Sequence, residues 1–110
     1  MATDMPVSLP DARRSLRTSV ERSAETTLVR VAGEVDLATE PELHALLRSL
    51  DGDVVVDLAH VTLLDACGIG ALVTERRRLA EGGGMLILRA PVPLTRRVLG
   101  ILGLKEWIVE

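Results

Sequence analysis

The sequence predicts an α/β fold: a mixed β-sheet with an N-terminal hairpin, crossover helices and a C-terminal helix, in the order β-β-α-β-α-β-α-β. Three observations lead there. Two short apolar runs, Val54-Val55-Val56-Asp57-Leu58 and Met85-Leu86-Ile87-Leu88, are bounded by turn residues and read as strands covered on both faces. Segments with apolar residues at helical spacing lie between the strands, as parallel neighbours require. Apolar residues make up 47% of the 110-residue chain, yet it holds one Trp and no Phe or Tyr, so the core must be built from Leu, Val, Ile and Ala.

Taken in order, residues 1 to 14 carry two prolines and scattered charges, and a flexible lead-in is expected, with the domain proper from 15 to 110. Leu16 to Arg22 alternates weakly and suits a short edge strand. Glu25-Thr26 turns the chain, and Leu28 to Val35 places Val29, Val31 and Val35 on one face at period two. So short a link makes the pair an antiparallel hairpin.

Thr39 is positioned to cap the first helix, with Glu42 three residues on completing a capping box and Pro41 in the first turn. Leu43, Leu46, Leu47 and Leu50 form its apolar stripe, and Asp51-Gly52-Asp53 ends it. After the strand Val54–Leu58, Ala59 to Asp65 reads as a connection. The second helix follows from about Cys67 to Glu81, with Ile69, Leu72, Val73, Leu79 and Ala80 inward and Thr74, Glu75, Arg77, Arg78 and Glu81 outward. Gly82-Gly83-Gly84 stops it. Pro91 and Pro93 open a last helix with Leu94, Val98, Leu99, Ile101 and Leu102 as its stripe, Gly103 follows it, and Trp107-Ile108-Val109 closes the chain as a short strand.

Composition excludes several classes of function. Net charge is −3, from 13 basic and 16 acidic residues, which leaves no footprint for nucleic acid. A single cysteine, Cys67, excludes an intramolecular disulfide and a multi-cysteine metal cage. His44 and His60 lack carboxylate or cysteine neighbours at metal-ligand spacing, so neither a metal nor a cofactor is expected. No apolar run approaches the ~18–20 residues that span a bilayer, and the N-terminus shows no secretion signal. A cytoplasmic setting without membrane contact is expected.

The informative segment is Leu64-Asp65-Ala66-Cys67-Gly68-Ile69-Gly70, which leads into the second helix. Helix N-termini present unpaired amide donors and partial positive charge. Gly68 and Gly70 supply two glycines of a dinucleotide-binding G-x-G-x-x-G, but Val73 takes the third place. Cys67 could serve as a reactive thiol, favoured by the helix start and opposed by Asp65; otherwise it is a small, partly buried residue at a tight helix entry. Asp36 and Asp65 each suit a local turn or cap. Arg76-Arg77-Arg78, flanked by Glu75 and Glu81, reads as a solvated helix face, and Trp107 as a core or edge plug.

Gly33-Glu34-Val35-Asp36, then Val54 to Leu58, then Asp65 to Gly70, with Gly100-Ile101-Leu102-Gly103-Leu104 near the end, resembles the STAS domain of bacterial anti-sigma-factor antagonists. In that family a G-E-[LV]-D strand end, a V-[VL]-[VL]-D-L strand and a D-S-[ST]-G-[LI]-G helix start recur in this order. The resemblance implies a non-enzymatic binding module that engages an anti-sigma factor acting also as a serine kinase of the GHKL ATPase type; a weak homodimer is left open, since the sequence does not fix the oligomeric state. It implies a contact surface of Asp36, Asp65, Ala66, Cys67, Gly68, Ile69 and Gly70, with Arg77 and Arg78 on the exposed side of the second helix. The family's kinase phosphorylates the second hydroxyl residue of D-S-[ST]-G, and the dianion at the packed interface drives dissociation. Here the two hydroxyl positions are Ala66 and Cys67, so Cys67 stands at the phosphoacceptor position. Partner binding without phosphate control is the expectation. A redox switch or thiol enzyme built on Cys67 is the alternative, and a STAS subunit of a lipid-transport or stress-signalling complex is a further one.

Overall fold

The computed structural model describes residues 16–109; the lead-in over 1–14 lies outside the described residues. The elements are β1 (Arg17–Arg22), β2 (Thr26–Val35), α1 (Glu40–Arg48), β3 (Asp53–Leu64), α2 (Ala66–Glu81), β4 (Met85–Arg89), α3 (Pro93–Ile101), a 3-10 turn (Lys105–Trp107) and β5 (Ile108–Val109). This is the predicted order of strands and helices. The sheet runs β1-β2-β3-β4-β5, with the β1/β2 hairpin antiparallel and every other neighbour parallel.

The alternation read from the sequence sets the core. Val29, Val31 and Val35 from β2, Val54, Val56 and Leu58 from β3, and Leu86 and Leu88 from β4 are buried on one face of the sheet. Leu43, Leu47 and Leu50 from α1 and its exit, Ile69, Leu72 and Leu79 from α2, and Leu99 from α3 complete the same cluster. Burying such side chains contributes about 1.5–3 kcal/mol each against leaving them in water, so a core without Phe or Tyr suffices for this length.

Four local expectations are corrected. First, β3 is 12 residues long and includes the segment expected as a connection from Ala59 onward. β2 keeps pairing with it as far as Val35↔Leu64 through two register shifts, one between Gly33 and Glu34. Gly33 takes φ 102° there, in the left-handed region that glycine enters without steric cost. Val61 and Leu64 thereby continue the buried face.

Second, the Thr39/Glu42 capping box does not form: Thr39 makes no side-chain cap hydrogen bond to α1. Its hydroxyl is turned back into the preceding loop. Third, Glu75 is inward and Ala80 outward, the reverse of the expectation. Glu75 lies three residues after Leu72 and four before Leu79, on the same stripe, whereas Ala80 is rotated about 100° past Leu79. Fourth, α3 is covered along one row only, Thr95 and Leu99, so Leu94, Ile101 and Leu102 of its expected stripe are exposed and Val98 is half-buried.

Candidate functional site

Two aspartates organise the C-terminal ends of β2 and β3. After Val35, Asp36 Oδ1 accepts hydrogen bonds from the amides of Ala38 (2.9 Å) and Thr39 (3.0 Å). The buried Thr39 hydroxyl donates to the Glu34 carbonyl at 2.7 Å and accepts from the Asp36 amide at 3.0 Å. A capping hydroxyl accepts from the amides of the helix's first turn; here the Thr39 oxygen is turned back to the Asp36 amide and the Glu34 carbonyl, and it meets none of those first-turn amides.

Asp65 is the N-cap of α2. Its Oδ1 accepts from the amides of Cys67 (2.9 Å) and Gly68 (3.1 Å), satisfying two of the helix's orphan donors. The Asp65 amide itself donates to the Val35 carbonyl at 3.1 Å. That bond fastens the two aspartate turns side by side, so Asp36 and the Asp65–Gly70 turn belong to one surface.

Around that bond, Ala66 and Gly70 are exposed, Cys67 is half-exposed, and Gly68 and Ile69 are buried. Gly68 packs too closely for a side chain: a Cβ there would lie 2.6 Å from both Leu64 Cδ1 and Val35 Cγ1. Helix and strand therefore touch through Gly68. Gly70 faces open space. A shallow depression of about 420 Å³ lined by Glu21, Arg22, Ser23, Thr26 and Leu28 lies at the opposite end of β2, away from Cys67.

The arginine run is not a uniformly solvated face. Arg76 donates to the Leu86 carbonyl (3.2 Å) and stacks 4.3 Å above the ring of Trp107, which plugs the sheet edge as expected. Arg78 reaches across to α1, donating to the Leu47 carbonyl (3.0 Å) and the Leu50 carbonyl (2.6 Å), and so closes that helix's C-terminus. Arg77 alone of the three is exposed.

Sequence reasoning missed the partners of His44. Its Nδ1 lies 2.9 Å from Glu40 Oε2 and its Nε2 lies 2.7 Å from Glu75 Oε2. Glu75, with a side chain 1% exposed, also accepts from Arg78 Nε at 2.6 Å. Burial pushes the Glu75 carboxyl up, but the hydrogen bonds from Arg78 and His44 outweigh it and hold the group below its ordinary value. The network ties α1 to α2. With both ring nitrogens engaged, His44 is not free to act as a base on Cys67. His60 is exposed on β3, about 13 Å upstream of Leu64 at ~3.3 Å per residue. Among the described residues, no group of three or more His, Cys, Asp or Glu side chains is arranged to hold a metal ion, and no helix is long and apolar enough to cross a membrane.

A mixed sheet of this order, with the Asp65-capped helix start beside the Asp36 turn, is the architecture of the STAS domains, and the chain belongs to that family: the family model described as "Mlab, STAS domain" matches residues 18–110. Within it, the chain is similar to anti-sigma-factor antagonists. It is 33% identical over 82 residues to the anti-sigma-B factor antagonist of Staphylococcus aureus, covering 71% of this chain and 76% of that protein. It is 25% identical over 91 residues to the anti-sigma F factor antagonist of Lysinibacillus sphaericus, covering 78% of each. Among solved structures, an anti-sigma factor antagonist from Mycobacterium paratuberculosis matches with a TM-score of 0.76 at 28% identity, over 86% of this chain and 83% of that one. The unphosphorylated form of the anti-sigma factor antagonist SpoIIAA shares the fold, with a TM-score of 0.76 at 23% identity over 84% of this chain and 86% of that one.

Proposed function

We propose that this chain is an anti-sigma factor antagonist that binds its anti-sigma factor in the cytoplasm and does no chemistry of its own. The observation that carries the reading is the pair of aspartate turns fastened by the Asp65–Val35 hydrogen bond, with Cys67 in the first turn of α2 beside them. The contact surface comprises Asp36, Asp65, Ala66, Cys67 and Gly70, with Arg77 and the outer part of Arg78 further along α2. Gly68 and Ile69 shape it from beneath. Sigma-dependent transcription responds when the anti-sigma factor is occupied.

In this reading Cys67 takes the place of the phosphoacceptor, and binding escapes phosphate control. A phosphoryl group there would add about −1.5 to −2 charge at pH 7 beside Asp65, enough to break a packed interface. A serine kinase of the GHKL type finds no hydroxyl at this position; Thr62 and Thr74 lie outside the turn. Incubation with the cognate anti-sigma factor and ATP is expected to leave the intact mass unchanged. A stoichiometric gain of about 80 Da, one phosphoryl group, mapped to the turn would contradict the proposal.

A further inference from the structure

Two large apolar side chains stand exposed where the aspartate turns meet. Leu37, directly after Asp36, is 75% exposed, and Leu63, two residues before Asp65, is 43% exposed. Each lies two residues from one end of the Asp65–Val35 hydrogen bond, Leu37 in the turn after β2 and Leu63 on β3. Leu63 pairs in register with Glu34, so its side chain projects on the face away from the core, beside that carboxylate. Neither leucine takes part in the core, and each costs free energy in water, about 25 cal/mol per Å² of apolar surface.

Among the described residues, the charged side chains that flank them most closely in the chain are carboxylates, with Glu40 paired to His44. Glu34 is exposed, Asp36 and Asp65 are partly so, and Glu40 and Glu42 follow at the start of α1. The first basic side chains back along the strands are His60 and Arg30, three or more residues away and about 10 Å or further. Arg77 stands about 15 Å along α2 from Cys67. An apolar centre ringed by carboxylates fits a surface of the opposite polarity.

We propose that Leu37 and Leu63 are the apolar centre of the docking surface, and that the anti-sigma factor presents to it an apolar hollow ringed by lysine or arginine side chains. This rests on the function proposed above and specifies the chemistry of the partner. Desolvation of the two leucines supplies the lifetime of the complex, while the carboxylate ring supplies its rate of formation and its orientation.

The test titrates the purified anti-sigma factors of the source organism against the wild type and four variants. Leu37→Ser and Leu63→Thr are each expected to weaken binding about tenfold or more, through faster dissociation. Glu34→Lys is expected to slow association and flatten its salt dependence. Ile101→Ser, on the exposed row of α3, is expected to bind as the wild type does. All four positions are exposed, and an unchanged thermal midpoint verifies that each variant folds. If the wild type binds and the two leucine variants bind equally well, or Ile101→Ser is the one that weakens, the inference is overturned while the functional reading stands. If the wild type binds none of the anti-sigma factors, the functional reading fails and the inference with it.

Discussion

Replacing two glycines of α2 by alanine, two residues apart, should move stability in opposite directions. In an open helix position the change stabilises by about 0.5–1 kcal/mol, because glycine gives up more backbone freedom on folding. Gly70 is such a position: a Cβ added there would meet nothing within 4 Å. At Gly68 the new Cβ would meet Leu64 Cδ1 and Val35 Cγ1, each at 2.6 Å, and Val35 Cβ at 3.2 Å. The leucine tip can rotate away. Val35 cannot do so easily, since it is fully buried, branched at Cβ and held in β2. Overpacking of this kind costs about 1–3 kcal/mol. After the helix gain is subtracted, Gly68→Ala should lose about 1–2 kcal/mol, and its midpoint should fall by about 4–15 °C for a domain of this size. Gly70→Ala should melt a few degrees above the wild type, by about 2–8 °C. Thermal and urea unfolding followed by circular dichroism measure both. A Gly68→Ala protein as stable as Gly70→Ala would refute the close contact between α2 and the end of β2.

Three further outcomes are expected. Glu75→Ala strips Arg78 and His44 of their shared buried partner; because Arg78 stays partly solvated and keeps its bonds to Leu47 and Leu50, the loss should sit near the low end of the range for broken buried pairs, about 3 kcal/mol by urea unfolding. The depressed Glu75 carboxyl contributes stability that is fully present above its ordinary value of 4.5 and is lost as pH falls through its lower folded value; the acid limb of Glu75→Gln should therefore be shallower than that of the wild type, and an identical limb would show that the group does not titrate with unfolding. Asp65→Ala uncaps α2 and should cost about 1–2 kcal/mol, whereas Asp65→Asn, which keeps an accepting oxygen, should recover most of it.

What the sequence made legible followed from periodicity and local turn chemistry. The period-two valines of β2 and the leucine stripe of α1 bury the face they imply, whereas the run Val54–Leu58, expected to be covered on both faces, buries Val54, Val56 and Leu58 and leaves Val55 and Asp57 half-buried. Asp65 caps the helix it precedes, because an N-cap is decided within three residues. The misses came where a distant element decides. The extent of β3 depends on β2 running alongside it, and Gly33 with its positive φ was the one local sign of an irregular strand able to do so. Thr39 looked like a cap because its neighbours downstream matched a box; the carbonyl that captured it belongs to Glu34, five residues upstream.

Glu75 illustrates a different limit. Its charge argued for solvent, while its position between Leu72 and Leu79 argued for the core. The helical arithmetic won because Arg78 and His44 converge on it, and one of those partners lies 31 residues away. At the candidate site, the aspartates and Cys67 were visible as a motif, and their order in the chain marked the family. Leu37 and Leu63 were not, since nothing local distinguishes an exposed leucine from a buried one.

The central claim is that the Cys67 turn engages an anti-sigma factor and does so irrespective of ATP. Calorimetric titration of that partner into the wild type and into Cys67→Ser, each with and without prior incubation with the partner's kinase activity and ATP, tests it most directly. The wild type should bind with the same Kd under both conditions, and only Cys67→Ser should acquire ATP-dependent release. Loss of wild-type binding after ATP treatment, or no binding under either condition, would contradict it.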